Sequence, residues 1–291
     1  MVFFMVSTLA QSCPLERKPD RAVLEGLRAR IGRIESRFSR SGEGPGIFSL
    51  GASAIDDALP WGGLPVAALH EVLAQHKSAA SGFCAGLLAR LSASRGTVLW
   101  CRRGRGGLYG PGLAAFGFAP ERLILVRARN DTEVLWVLEE GLRSRSLVAV
   151  LGETDAVSMT AARRLQLAAE SGETCAFLLR SAHAKIEPGP AATRWRIGAV
   201  PSIGDEDEMR PGPGNSRWRV DLLKCRSGVP GVALVQKGGS AFGLPRSWLV
   251  EWRDGTTTPA GTAAGGFAVA TELRHQPANP VVDEIAIRVA V

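Results

Sequence analysis

No apolar run in this 291-residue chain reaches the ~18 residues that a membrane-crossing helix requires, so a bilayer span is not expected. The opening "MVFFMVSTLAQSC" lacks the basic start and the small-residue cleavage site of an export signal, and it is read as a ragged N-terminus. Paired cysteines are missing as well. Cys13, Cys84, Cys101, Cys175 and Cys225 stand singly in apolar segments, a spacing that frames neither zinc nor disulfides and suits reduced thiols in a cytoplasm. Histidine is scarce. His70 and His76 in "HEVLAQH" are six residues apart, whereas a helical metalloprotease pair needs four. In "GASAI", Ile55 occupies the place where a nucleophile elbow needs glycine, two residues after Ser53. The glycines Gly104, Gly106 and Gly110 of "CRRGRGGLYGPG" are spaced one residue too far for a dinucleotide loop. The chain is therefore expected to carry no catalytic residue, no metal and no cofactor, and not to be an enzyme.

What remains is the composition of a soluble globular protein, 45% hydrophobic and 22% charged, long enough for one main domain. Thirty-five Lys and Arg against 28 Asp and Glu give a net charge of +7 and an isoelectric point near 9.6. Such a balance suits an acidic partner such as nucleic acid, and it equally suits a protein that is merely basic.

Residues 1–46 read as an N-terminal helix and a linker. "AVLEGLRARIGRIESRF" sets Leu24, Leu27, Ile31, Ile34 and Phe38 on one apolar stripe of a helix, to dock either on the chain's own core or on a partner protein. "SRSGEGPG" then breaks the pattern. From residue 47 onward, the short apolar runs "VAALHEVL", "TVLWC", "RLILVRA", "SLVAVL" and "TCAFLLR" alternate with helical patterns. Strands apolar on both faces, alternating with helices, predict an α/β fold with a mostly parallel sheet between helix layers. After residue 190, "TRWRIGAV", "SRWRVDLLKCRSG" and "RSWLVEWR" alternate bulky and polar residues and predict an antiparallel extension. The core domain is placed at 47–255, and 256–291 is read as a weakly ordered tail whose "VVDEIAIRVAV" could pair at an edge.

The first core strand leads into "AQHKSAASG". A Walker loop cradles phosphates with backbone amides of a glycine-rich turn, a lysine that neutralises charge and a Ser/Thr that binds magnesium. Here Ala74 and Ala79 stand at the glycine positions and Ala80 at the lysine position. Only Ser81 fits the magnesium-binding hydroxyl, and Lys77 lies three residues too early. This is a degenerate phosphate loop, and triphosphate binding is not expected. Arginines recur at Arg102, Arg103 and Arg105, at Arg194 and Arg196, and at Arg217 and Arg219. Alternate positions on a strand share a face, so a guanidinium row beside Trp195 and Trp218 would suit phosphates and stacked bases. An ordinary solvated sheet face is the other reading.

"SLGASAIDDALPWGGLPVAALHEV" resembles the stretch before the phosphate loop of the RecA recombinases, through Gly51, Asp56, Ala58, Leu59, Gly62, Gly63, Leu64, Pro65 and Glu71. The resemblance runs through roughly residues 47–226 and implies a RecA-like core. It fails where RecA does its chemistry: Gly104 falls at the catalytic glutamate, Gly152 at the Walker B aspartate beside Glu153 and Asp155, and Arg180 at the nucleotide-sensing glutamine. "LYGPGLAAFGF", "LEEGLRS", "SMTAARRLQLAAESG", "RWRVDLLKCRSG" and "PRSWLVEW" look like stretches of the ImuA family, the RecA-like proteins of a bacterial mutagenesis cassette. This resemblance implies a non-catalytic accessory protein of SOS-induced translesion DNA synthesis. It implies binding to ImuB and, through ImuB, to an error-prone DNA polymerase III alpha-type subunit, with RecA and DNA as further candidate partners. The alternative is a diverged DNA-dependent ATPase that takes phosphate through Lys77, Ser78 and Ser81.

Overall fold

A computed structural model describes residues 46–93, 96–104, 106–144, 146–185, 187–202, 214–226, 246–253, 257–258, 261–262 and 265–273. The chain divides into two compact units, Met1–Gly44 and Pro45–Val291, and all described residues belong to the second. The N-terminal stripe Leu24, Leu27, Ile31, Ile34 and Phe38 lies outside the described residues, as do Arg105 and the run from residue 274 onward.

The described elements follow in order. A short strand β1 (Ile47–Phe48) precedes helix α1 (Ser53–Asp56) and strand β2 (Leu64–Pro65). Next come β3 (Leu69–Ala74), α2 (Lys77–Ser92), β4 (Thr97–Arg103), α3 (Gly110–Ala114) and a 3-10 turn at Pro120–Arg122. They are followed by β5 (Leu123–Ala128), α4 (Asp131–Arg143), β6 (Leu147–Glu153), α5 (Met159–Gly172), β7 (Cys175–Ser181) and β8 (Thr193–Val200). The last described elements are β9 (Arg217–Cys225), β10 (Arg246–Arg253), β11 (Thr257–Thr258), β12 (Gly261–Thr262) and β13 (Gly266–Leu273). Nine strands form one sheet in the order β13-β10-β9-β8-β3-β7-β6-β4-β5. The pairs from β8 to β5 are parallel, and β8-β9, β9-β10 and β10-β13 are antiparallel. This is the expected α/β core with its antiparallel C-terminal extension. Among the described residues no helix is long and apolar enough to cross a membrane.

The sheet continues beyond residue 255, where the sequence reading ended the core. β13 is the outermost of the described strands at that end, paired along β10 from Ser247↔Leu273 to Arg253↔Gly266. The small, polar residues before it hide an apolar run, "GFAVATEL", whose Phe267 is buried.

Two apolar layers cover the sheet. Alternate residues of β3, β4, β6 and β7 (Val72, Val98, Trp100, Ala149, Leu151, Phe177 and Leu179) face α2, and the residues between them (Leu69, Leu99, Val150, Ala176 and Leu178) face α4 and α5. Helices α4 and α5 carry amphipathic stripes with side-chain N-caps, Asn130 accepting from the Glu133 amide and Ser158 from the Ala161 amide. Helix α2 is buried on most sides, because the antiparallel wing closes over it. Phe83 packs on Phe267 with ring centroids 4.8 Å apart, and Trp252 meets Phe267 at 5.2 Å. A Cβ at Gly86 would stand 2.8 Å from the Trp252 ring, so only glycine lets that ring lie on the helix backbone.

At the end of α5, Glu173 holds φ = 52°, a left-handed conformation that costs a residue with a Cβ roughly 1 kcal/mol. Glu173→Gly is expected to raise stability by about 1 kcal/mol, less the added chain entropy of glycine in the unfolded state. Urea unfolding midpoints of the two proteins measure this; an unchanged or lowered midpoint would contradict it.

Candidate functional site at the carboxyl edge of the parallel strands

Open α/β sheets bind ligands outside the carboxyl ends of their parallel strands. Here that edge is formed by the ends of β3, β6, β7 and β4 and by the start of α2. Only Gln75 and His76 separate β3 from α2, and Lys77 is already helical. The Gln75 amide donates to the carbonyl of Ile197 (3.0 Å), and the Ala80 amide donates to that of His76 (3.1 Å). The sequence spacing that laid Ala74 to Ser81 out as a phosphate loop is corrected by this geometry. Without glycine to hold the chain open, good helix formers extend the helix down to Lys77 and leave Ala79, Ala80 and Ser81 on its first turns. Ala80 is fully buried, and Trp218 Nε1 donates to the Ala79 carbonyl at 2.8 Å. Gln75 and His76 are the whole of the loop between β3 and α2.

Charge at this edge is matched internally. The buried carboxylate of Glu153, the last residue of β6, accepts from Trp100 Nε1 (3.0 Å) and Arg102 Nε (2.5 Å), and Lys77 Nζ lies 2.9 Å from its other oxygen. Register explains the grouping: Trp100, Arg102 and Glu153 all point to the α2 side of the sheet, where α2 begins with Lys77. The Lys77 ammonium, at the mouth of this pair, adds a second cation to Glu153. Arg103 Nη1 donates to both oxygens of Asp131 (3.0 and 2.9 Å), while Asp155 accepts from the Ser181 amide (2.7 Å).

A second buried carboxylate, Glu71 on β3, lies on the opposite face of the sheet. Arg194 Nε donates to it, and Arg180 Nη1 lies 3.5 Å away. Arg180 Nη2 also donates to the carbonyls of Asp155 and Lys185, each at 2.9 Å. Lys224 donates to the carbonyls of Gly189 and Ala191. Burial first, and then the nearby Arg194 guanidinium, hold its ammonium below its ordinary pKa.

The row of arginines foreseen on the hairpin is taken apart by the same packing. Arg194 is buried against Glu71, Arg217 lies 3.7 Å from Glu251, and Arg219 donates to Asp221 at 3.0 Å. Trp195 and Trp218, foreseen as stacking platforms, are buried in the core on the α2 side. Arg196 is half-buried on the other face. Arg102 and Arg103 do come together at the carboxyl edge, but as partners of Glu153 and Asp131. Sequence reasoning noted Glu71 and Glu153 without assigning them these roles; a carboxylate inside an apolar strand run was the available signal.

Among the described residues no group of three or more His, Cys, Asp or Glu side chains could hold a metal ion. His70 is spent on structure. Its Nε2–H donates to the Pro65 carbonyl (3.0 Å), and its Nδ1 accepts from the Thr193 hydroxyl (2.7 Å), which in turn accepts from Trp195 Nε1 (2.7 Å). Burial pushes its pKa down to about 4. Burial also raises the Cys84 and Cys175 thiols and takes Cys101 to about 11, so none of the three is a ready nucleophile.

Two curated relatives, the ImuA proteins of Caulobacter vibrioides strains NA1000 and ATCC 19089, are each 35% identical to this chain over 212 residues. Each match covers 68% of this chain and 86% of the relative. No family model matches the chain. A solved structure, SulA from Pseudomonas aeruginosa, is similar over 39% of this chain and 97% of its own length. Its identity of 23% and TM-score of 0.35 are too low to support any functional argument.

Two outcomes follow from these buried charges. Glu153→Gln leaves Arg102 buried without its anion and is expected to cost about 3 kcal/mol, whereas Lys77→Ala, at a 65% exposed side chain, costs below about 1 kcal/mol. Equal losses in denaturant unfolding would contradict the ranking. For His70, the unfolded chain binds a proton near pH 6.5 and the folded chain only near pH 4, so stability is complete above pH 6.5 and falls as pH drops toward 4, by about 3 kcal/mol at most. His70→Gln keeps a donor for Pro65 and an acceptor for Thr193 but does not titrate. Its stability should fall less steeply than the wild type's between pH 6.5 and 4; parallel curves would exclude His70 as the source.

Proposed function

Because the chain belongs to the ImuA family, we propose that it is a non-catalytic accessory protein of SOS-induced translesion DNA synthesis and mutagenesis, acting by binding. Its partner in this reading is ImuB, through which it is tied to an error-prone DNA polymerase III alpha-type subunit in the cytoplasm. RecA and DNA are further candidate partners. Family membership supports the mutagenesis context, and one observation carries the non-catalytic part: Lys77 and Arg102, the cations nearest the place of a phosphate loop, are both ion-paired with Glu153.

A triphosphate entering this edge would have to strip those cations from a buried carboxylate and leave Glu153 uncompensated, which costs several kcal/mol before any binding begins. It would also find two turn residues where a cradle needs a loop of free amides. What persists is a sheet with helices on both faces. A rigid body of this kind suits a docking role, since its surfaces are not rearranged by nucleotide turnover. The N-terminal stripe from Leu24 to Phe38 is one contact in this proposal, and the arginines that remain exposed, Arg103 and Arg219, are its residual DNA contacts.

The test is an equilibrium titration of the full chain with a fluorescent ATP analogue and magnesium, paired with an assay of hydrolysis in the presence of single-stranded DNA. Neither saturable binding in the micromolar range nor DNA-stimulated hydrolysis is expected. Magnesium-dependent binding that Lys77→Ala abolishes would overturn the proposal in favour of a diverged ATPase.

A further inference from the structure

The sheet order sets β9, β8, β3 and β7 side by side, and on the face turned away from α2 these strands carry Lys224, Arg194, Glu71 and Arg180. Three cations there share one buried carboxylate. Glu71 takes one guanidinium nitrogen from each arginine, and burial together with the Arg194 charge keeps the Lys224 ammonium below its ordinary pKa. The other carboxylates of this corner are committed elsewhere: Asp221 accepts from Arg219, Glu187 pairs with Lys185, and Asp155 accepts from the Ser181 amide. Positive charge held out of water in excess of its counterions is costly, and an anion relieves it.

The donors left over from Glu71 end on backbone. Arg180 Nη2, Arg194 Nη2 and Lys224 Nζ donate to carbonyls between β7 and β8, those of Lys185, Glu187, Gly189 and Ala191. Every second carbonyl of that stretch thus rests on a cation. Pro188 and Pro190 stand between the last three and bring no amide hydrogen, so the segment offers these cations acceptors only. Glu187 and Pro188 are exposed, so the carbonyl contacts are what hold the segment Glu187–Ala191 against the sheet at this end. Arg180 Nε is buried and has no hydrogen-bond partner among the described residues. A carbonyl is a neutral acceptor, and hydrogen bonds in which the acceptor too is charged are stronger.

We propose that Arg180, Arg194 and Lys224 form a binding site for a phosphate-type oxyanion, over which the segment Glu187–Ala191 is a lid that gives up its carbonyl contacts to the ligand. Two forked guanidiniums and one ammonium suit the three oxygens of a phosphoryl group, whereas a carboxylate has only two. Glu71 is a positioning residue: it holds one nitrogen of each guanidinium and leaves the others for the ligand. The site lies on the face of the sheet opposite α2 and Lys77, so it is separate from the degenerate phosphate loop. The phosphoryl group can belong to a free phosphate or phosphomonoester or to a nucleic-acid backbone, and the chemistry of recognition is the same.

The experiment titrates the full chain with inorganic phosphate at fixed pH and ionic strength, with chloride making up the balance. Thermal unfolding and the amide resonances of Gly189 and Ala191 are followed for the wild type, Lys224→Met, Lys224→Arg and Glu71→Gln. The wild type should be stabilised saturably, with half-saturation below about 10 mM, and both resonances should shift along the same curve. Lys224→Met should weaken binding at least about tenfold, and Lys224→Arg should keep most of it. Glu71→Gln removes the competing carboxylate, so it should unfold at a lower temperature yet bind phosphate more tightly, a combination that a purely structural cluster does not give. The Lys224 variants decide the matter even where Glu71→Gln does not fold. Stabilisation that fails to saturate, or that Lys224→Met shows equally, is the general effect of an excluded salt and would overturn the proposal, as would unmoved Gly189 and Ala191 resonances. An oligothymidylate then separates the sources: displacement of bound phosphate assigns the site to a nucleic-acid backbone, retention of phosphate assigns it to a free phosphate or monoester, and both support the oxyanion site.

Discussion

Two buried carboxylates organise the carboxyl edge of the sheet. Glu153 on one face and Glu71 on the other sit in surroundings where an unmatched charge costs several kcal/mol, so nearby cations are bound to them by necessity. Lys77, Arg102, Arg180 and Arg194 are placed by that requirement. These pairs tie the start of α2 to the end of β6, the end of β4 to β6, and β8 and β7 to β3. In an α/β sheet this edge is where chemistry is usually built. Here its two buried carboxylates hold strand ends together.

Much of the architecture was legible because the physics is local. Runs apolar on both faces announced buried parallel strands, and helical spacing announced α4 and α5. Less legible was anything decided by a partner distant in sequence. Arg194 and Glu71 are 123 residues apart, and no periodicity could reveal that one neutralises the other. Strand alternation placed Trp195 and Trp218 together on one face, but it did not say that α2 covers that face. The segment after β3 misled for a different reason. Aligning it to a loop presumed a loop, and the absence of glycine that disables phosphate binding also makes the segment helical from Lys77 on. β13 was overlooked because a strand of small residues borders a low-complexity stretch and owes its place to Phe267 and to pairing with β10.

The same division separates body from surface. The faces of the central strands are covered by helices whose apolar stripes leave charged residues outward, and their ionisable groups are tied in pairs. Outward from the helices stand a few large apolar side chains, such as Trp136 on α4 and Leu167 on α5.

Helix α2 is wedged between the parallel strands and the aromatic wing, with Trp252 and Phe267 seated on Gly86. The C-terminal strands are thereby structural members of the core, not an appendix to it. Deletion of the chain from β9 onward would strip the covering from Phe83 and from the helix backbone at Gly86. Loss of activity in such a truncated protein would report collapse of the whole body and could not be used to map a binding surface to the missing residues.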